Sequence, residues 1–446
     1  MKRSHLDIAF AVVTVIIATG VFRFIAVPFG VPIYIVSGIL LLFNLSYVLM
    51  RIHAFRFNNK LILPWVILLL VWPLLSFLYS VGGNLRAALV ILNAFLIFAG
   101  VSILIRRGQI AIVQRALSAS LLLTYIGAIL NLMRPDLFTE VARLADAYVL
   151  TMGRPGGFYL QPNDLAINTV LLLAGKLALD HGDHPIQKAI TIGLVVLIVL
   201  LSGSRAGLVT VGVVLMFSVM GRLTKGAARG RITKSSLMYL ASLVLMSVGV
   251  FFVAKSVLVF LQSTADLMPG GLVDRLDAFL NFKFSYDGVG TQSQTVSDRW
   301  EAQLNYLRLV ADTPITGHGI GSEQFYLATG RIPLSSHSSF LSMAFEYGIP
   351  YAVFFTLALV SFIFFFRRSS NGERMERSDY WLFAVLALIL LFYSGTLADR
   401  VPFVILVAIA VTSMARASAE TAVQNKMSRQ LAIGQGPHAF SKGSTR

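Results

Sequence analysis

Long runs of apolar residues, broken by short polar stretches, dominate the chain from end to end. A membrane-crossing helix needs about 20 mostly apolar residues. About twelve stretches approach that length: 7–25, 29–50, 61–80, 86–105, 114–133, 163–180, 188–203, 206–221, 236–261, 337–366, 380–396 and 401–415, the last two being short. The first follows Met1-Lys2-Arg3 and is apolar without interruption, so it reads as a retained span rather than a cleaved leader. The pattern predicts an all-α polytopic membrane protein with spans 1–9 in 1–261, a large polar loop at 262–336 and spans 10–12 in 337–415. A smaller loop lies at 134–162, and the basic tail at 416–446 is expected to be disordered.

Composition agrees with this and narrows it. Of 446 residues 56% are hydrophobic and 13% charged, where an ordinary soluble domain carries roughly 25% charged residues. A soluble enzyme and a disordered chain are therefore poor readings. With no Cys, thiolate nucleophiles, disulfides and Cys-based zinc sites drop out. The net charge of +16 would suggest nucleic acid in a soluble protein, so its placement matters.

With both ends cytoplasmic, the inside segments hold 23 of the 37 Lys and Arg, mostly in short loops such as Arg51 to Lys60, Arg106-Arg107, Arg222 to Lys234 and Arg367-Arg368. Short basic loops are where the positive-inside rule applies. Most of the charge is thus a topology signal, and nucleic acid is not an expected partner. The outside set is different: eleven Arg stand against the single Lys283, beside 13 of the 21 acids. Arg presents a planar fork of donors suited to phosphate and carboxylate. These arginines either pair with acids in the loops or receive an anionic substrate.

Five motifs lie on that side. Residues 153–164, Gly-Arg-Pro-Gly-Gly-Phe-Tyr-Leu-Gln-Pro-Asn-Asp, precede an apolar helix. Asn163 or Asp164 is placed to cap it, leaving a positive helix end beside Arg154 that suits an anion; a simple Gly/Pro turn is the plainer reading. Ser202-Gly203-Ser204-Arg205 joins two apolar runs. A charge there must pair, reach the interface or line a polar cavity. Ser204 has no accompanying His/Asp pattern that would make it a nucleophile. Asp298-Arg299-Trp300-Glu301 reads as a capping box, with Trp300, Leu304, Leu307 and Ala311 on one face of the following helix. Gly317-His318-Gly319-Ile320-Gly321 follows no strand and is expected to be a flexible turn rather than a dinucleotide site.

The fifth motif, Ser335-Ser336-His337-Ser338-Ser339, opens the tenth span. A cap at Ser335 or Ser336 would place His337 in the first helical turn, neutral and able to act as a base near pH 7. Glu346 lies nine residues on, inside the apolar run, where a carboxylate is a functional candidate by default. Asp180-His181-Gly182-Asp183-His184 falls on the inside face, away from these motifs, and reads as a solvated turn.

In their order, these motifs resemble the O-antigen ligase and polysaccharide polymerase superfamily, over roughly 150–350. The resemblance rests on the Arg/Gly-rich stretch ending at Pro162-Asn163, Ser-Gly-Ser-Arg, Arg-Trp, Pro-Ile-Thr-Gly-His-Gly-Ile-Gly, and a span-opening His followed by Glu-Tyr-Gly-Ile-Pro. It implies a GT-C-type glycosyltransferase of the bacterial inner membrane, without metal or other cofactor, working at the periplasmic face. The donor would be a polyprenyl-diphosphate-linked glycan and the acceptor a hydroxyl of a glycan or lipid-linked partner. Polymerisation is slightly preferred over ligation to lipid A core. By position, Arg205 and Arg299 match the arginines that hold the diphosphate and His337 the histidine that activates the acceptor; Arg154, Glu346, Ser204 and Asn163 are supporting candidates. The family often has His-Asn where this chain has His337-Ser338. A transporter of lipid-linked sugars is the rival reading, but neither inverted repeats nor broken helices are evident in the sequence.

Overall fold

A computed structural model describes residues 5–27, 30–55, 60–80, 85–144, 155–179, 185–228, 296–332, 336, 338–364, 377–393 and 400–415. Among the described residues the fold is helical, without strands. In chain order the helices are α1 (His5–Thr19), α2 (Phe22–Ala26), α3 (Ile33–Met50), α4 (Leu63–Val66), α5 (Trp72–Ser76), α6 (Leu85–Arg106), α7 (Ile110–Met133), α8 (Pro135–Leu144), α9 (Pro162–Leu179), α10 (Pro185–Ser202) and α11 (Arg205–Ala228). They continue as α12 (Val296–Asp312), α13 (Ser322–Ala328), α14 (Ser339–Tyr347), α15 (Ile349–Phe364), α16 (Arg377–Tyr393) and α17 (Val401–Ala415). The expected ninth span at 236–261, the Asp180–His184 cluster, Arg154, His337, and the tail lie outside the described residues, as do the side chains of Arg205 and Arg299.

By length and composition α3, α6 and α7 can each cross a membrane alone, and seven further apolar helices are shorter. The helices are apolar on nearly all sides, as expected of elements that face neighbours or lipid rather than water. α6 is enclosed by protein: Ile97, Phe98, Ala99 and Ile103 are fully buried. α9 and α17 are similarly enclosed, with Leu165, Ala166, Val170 and Leu172 on one and Phe403 through Ala410 on the other. α3 instead turns Ile39 and Leu42 outward, each over 60% exposed, which suits a helix coated by lipid.

The tenth predicted span is two helices, not one. α14 stops at Tyr347 and α15 starts at Ile349, with Gly348 between them at φ 89° and ψ 160°. Pro350 follows and cannot donate to a continuing helix. The third predicted span is one continuous helix over Leu63–Tyr79 that carries a π-helical turn at Ile67–Val71 between α4 and α5. A broken helix is thus present at Gly348 where the sequence pattern suggested a continuous one.

At the end bearing Arg106 and Arg107, α1 carries a fully buried Asp7. Arg107 Nη1 donates to both carboxylate oxygens, at 2.8 and 2.9 Å, and the Tyr47 hydroxyl donates to Oδ1 at 3.1 Å. Arg51 Nε lies 4.0 Å away. One acid therefore ties α1 to α3 and to the α6–α7 junction. Removing one partner of a buried pair leaves the other charge uncompensated. Asp7→Ala is expected to lower stability by about 3 kcal/mol, the low end of the range for buried pairs because Arg107 keeps partial contact with solvent. Thermal unfolding in detergent checks this; a loss below about 0.5 kcal/mol, the size of an ordinary surface substitution, would refute the lock.

Candidate active site

The site is built around the broken tenth span. A helix ending inside an apolar protein leaves four carbonyls without intrahelical donors. In α14 they belong to Ala344, Phe345, Glu346 and Tyr347, and each has a partner. Gly348 N–H donates to Ala344 O at 3.0 Å, His318 N–H to Phe345 O at 2.8 Å and Gly319 N–H to Glu346 O at 2.8 Å. The Trp72 indole donates to Tyr347 O at 3.2 Å. On the other side of the break, Ile349 N–H donates to Pro314 O at 2.8 Å.

The π turn in the third span answers the same geometry. Trp72 N–H bonds to Ile67 O, five residues back, so the next donor in that register would be residue 73 to Leu68 O. Residue 73 is Pro and has no N–H. The Tyr351 hydroxyl takes its place, donating to Leu68 O at 2.8 Å. Each segment therefore supplies the donor that the other lacks.

Between them sits the turn at 313–321, which is not the flexible segment expected from its glycines. Tyr79 donates to Thr316 O at 2.9 Å and Ser80 Oγ to Ile320 O at 2.6 Å, so the turn is gripped from both sides. Gly319 has φ 88°, and a Cβ there would lie 2.3 Å from Ser80 Cα. At Gly348 a Cβ would lie 2.0 Å from Ile315 O. The glycines permit close packing here rather than motion.

His318 is buried in that turn, stacked on Phe345 with ring centroids 4.4 Å apart. Its Nδ1 lies 3.0 Å from Thr313 Oγ1. Burial lowers its pKa below the ordinary 6.5, outweighing the Phe345 carbonyl and Asp312, which act to raise it.

At the other end of α14, Ser338 is the cap, its Oγ accepting from Leu341 N–H at 3.4 Å. The cap is thus not Ser335 or Ser336, and His337 precedes it rather than occupying the first turn. Behind this end lies a buried polar cluster. Glu323, on α13, is 6% exposed and Glu346, on α14, 7%. Tyr306, on α12, donates to Glu323 Oε1 at 2.7 Å, and Glu323 N–H donates to Glu346 Oε1 at 3.4 Å. Burial raises the pKa of Glu323, against hydrogen bonds from Tyr306, Ser342 and the Ser336 backbone that act to lower it.

Tyr306 also explains how α12 is turned. The face packed on the protein is Ala302, Tyr306 and Val310, whereas Leu304 and Leu307, on the predicted apolar face, point outward at 36% and 49% exposed. The helix starts at Val296, so Asp298 lies inside its first turn, not at its cap, and Arg299 belongs to that turn.

Arg205 is the first residue of α11, and Ser204 caps it, accepting from Gly207 N–H at 3.2 Å. Ser204 is buried and serves as the cap of α11. α16 packs against both α11 and α14, and Ser338 Oγ donates to Leu391 O at 3.5 Å. The helices opening at Arg205 and Ser339 thus share a neighbour.

The first long loop departs from expectation. α9 begins at Pro162, so Asn163, which is exposed, and Asp164 lie in its first turn, not at its cap. Gly156 and Gly157 N–H groups both donate to Asn131 Oδ1, at 2.7 and 3.0 Å. Asp164 receives Arg400 Nη2 at 2.8 Å, and Arg23 is near enough to feel both Asp164 and Arg86. Part of the outer arginine set is therefore engaged with an acid. The order of motifs in the sequence did not point to Glu323, Tyr306, His318 or Arg400; an acid directly after a glycine turn, Gly321-Ser322-Glu323, was the one visible sign.

Residues 190–356 match the family model described as O-antigen ligase. These residues form an O-antigen ligase family domain. The domain takes in α11, α12, the 313–321 turn and the broken pair α14–α15, while α9 and the first long loop lie before it. A comparison with curated proteins gave no match.

A histidine whose pKa is lowered by folding binds fewer protons in the folded state, so stability falls as the solution becomes more acidic. For His318 in the O-antigen ligase domain the loss begins as pH drops through 6.5 and continues to its lowered folded value. The slope for one proton reaches at most ~1.4 kcal/mol per pH unit. His318→Gln is expected to flatten the pH dependence of the unfolding midpoint in this window; an unchanged slope would refute the assignment.

Proposed function

We propose that this membrane protein is a GT-C-type glycosyltransferase that moves a glycan from a polyprenyl diphosphate carrier to an acceptor hydroxyl. The reaction takes place on the periplasmic side of the bacterial inner membrane, with both chain termini cytoplasmic. Its product is a lengthened polysaccharide, with ligation to lipid A core as the alternative within the same chemistry. The observation that carries the reading is the O-antigen ligase match over 190–356, a stretch that contains Arg205, Arg299, His337 and Glu346 together.

Arg205 and Arg299 hold the diphosphate, and Arg154 assists from the first long loop. His337 takes the proton of the acceptor hydroxyl as its oxygen attacks the anomeric carbon. The bond from that carbon to the diphosphate oxygen breaks, and the carrier leaves as the polyprenyl diphosphate anion. Fixed guanidinium groups stabilise the charge that develops on it, which is the part a metal plays in other enzymes. Glu346 lines the base of the site, Ser204 fixes the start of the helix that carries Arg205, and Asn163 stands at the rim.

The break between α14 and α15 favours a second reading, transport of the lipid-linked sugar, since transporters often carry such breaks. Vesicles holding the purified protein separate the two. New glycosidic bonds support transfer, whereas movement of labelled donor across the bilayer without them supports transport.

His337→Ala is expected to lower transfer by about 10² to 10⁴ and Arg205→Lys by about 10² to 10³, with both proteins still inserted. Normal glycan ladders from His337→Ala cells would remove His337 from catalysis. In a strain lacking the gene, single repeats on the carrier indicate a polymerase, and full-length chains left on the carrier indicate a ligase.

A further inference from the structure

Three arginines that the proposed transfer does not use gather at the end of the bundle where α9 begins. Arg400 Nη2 donates to Asp164 Oδ1 at 2.8 Å, in the first turn of that helix. α2 is fastened to the segment that leads into α9. Phe24 meets Phe158 edge-on with ring centroids 5.0 Å apart, and a Cβ on Gly20 would lie 2.9 Å from Phe158 O. This contact brings half-buried Arg23 close enough to interact electrostatically with Asp164 and with Arg86, the second residue of α6. Among the described residues, neither Arg23 nor Arg86 makes an ion pair.

Charge is out of balance at this point. Three guanidinium groups stand about one carboxylate, and Arg400 already bonds to it. Cations set together beside apolar helices repel one another unless an anion joins them, which marks such a group as a functional candidate. The Tyr159 hydroxyl adds to the deficit. It is buried, close enough to feel both Asp164 and Arg400, and has no well-formed hydrogen bond among the described residues. Guanidinium forks are suited to phosphate oxygens. Exposed apolar side chains flank the arginines: Ile25, two residues from Arg23, is 49% exposed, and Leu85, beside Arg86, is 62% exposed. Such side chains face lipid, so these cations stand where lipid head groups are met. The place also suits the reaction, because α11 starts beside α9. A Cβ on Gly207 would lie 2.6 Å from Ala166 Cβ, and Arg205 and Asp164 each precede that contact by two residues.

We propose that Arg23, Arg86 and Arg400, set around Asp164 at the start of α9, form a binding site for the phosphate of a lipid head group. Asp164 is the resident anion that keeps Arg400 in place, and the phosphate adds the negative charge that the group lacks. Naming a polyprenyl diphosphate as that lipid rests on the glycosyltransferase reading given above. The anion site itself stands on the arrangement of charges.

The test is the Kd of purified full-length protein for two probes at one ionic strength: inorganic pyrophosphate, and a polyprenyl diphosphate in nanodiscs of zwitterionic lipid. Thermal unfolding of the same samples counts folded protein. Arg23→Gln is expected to raise the Kd for the polyprenyl diphosphate about tenfold, the scale of one hydrogen bond to a charged group. Arg86→Gln is expected to raise it about threefold, since its exposed charge is screened. Asp164→Asn removes the competing carboxylate and is expected to lower the Kd about threefold. Should Arg23→Gln or Asp164→Asn not fold, Arg86→Gln, on an exposed side chain, carries the test alone. A Kd unchanged in the arginine variants overturns the proposal, as does parent protein that binds neither probe. An unchanged or raised Kd in Asp164→Asn overturns the role of Asp164 as resident anion. Pyrophosphate bound as tightly as the polyprenyl diphosphate assigns the site to a free anion and overturns the lipid occupant. Full glycan transfer by His337→Ala, with the arginine effects on Kd intact, would instead overturn the transfer reading and leave the anion site standing.

Discussion

Everything near the candidate site depends on where the last four carbonyls of α14 find donors. Inside a lipid-coated bundle an unpaired carbonyl costs several kcal/mol, so a helix can end there only where partners are waiting. The four donors come from different parts of the chain: Gly348 itself, His318 and Gly319 from the outer turn, and Trp72 from the third span. That requirement draws the turn, the third span and α15 to one point. Glu346 lies within the same terminal turn of α14, so satisfying the backbone also fixes the carboxyl.

The repair is mutual. Pro73 removes a donor from the third span and Pro350 removes one from the start of α15. Tyr351 supplies the first deficit at Leu68 O, and the 313–321 turn accepts the neighbouring Ile349 N–H at Pro314 O. Aromatic rings fill the space between, Trp72 edge-on to Tyr351 at 5.7 Å and Tyr347 tilted against Tyr351 at 4.7 Å. A site standing on such a joint is held by helices rather than by loops, which suits chemistry that depends on orientation. At the far end of the bundle Asp7 performs a comparable task with charge, tying three elements through one buried carboxylate.

How much of this could be read in the sequence follows from what each signal measures. Apolar run length reports burial in lipid or protein; it located the apolar helices, whereas α8, α12 and α13 lie in stretches it read as loops. It is blind to a break whose flanking residues are themselves apolar, so Tyr347-Gly348-Ile349-Pro350 was taken as the interior of one span. Cap motifs share that weakness. Within Ser335-Ser336-His337-Ser338-Ser339 four residues are chemically able to cap, and the tertiary network of Ser336 and Ser342 decides for Ser338. On α12 the apolar spacing selected Leu304 and Leu307, yet the hydroxyl of Tyr306 reaching Glu323 sets which face turns inward. Of the candidate residues, the structure places Glu346 in a buried cluster and gives Ser204 a capping role. Asn163 and Asp164 fall within the first turn of their helix because Pro162 already takes the first position.

The electrostatic balance of the cluster bears on the proposed donor. A diphosphate brings negative charge, and interactions between charges strengthen as water is excluded. Two ionised carboxylates facing it would oppose its binding, whatever the arginines supplied. Burial raises the pKa of Glu323 and so works against one of those charges. His318, whose pKa burial lowers, adds no compensating positive charge there. Away from this cluster, Asp164 is already matched at short range by Arg400, whose Nη2 lies 2.8 Å from its Oδ1. For an anionic head group of the kind proposed, burial favours the uncharged form of both Glu323 and His318, so the buried groups work against extra charge beneath it.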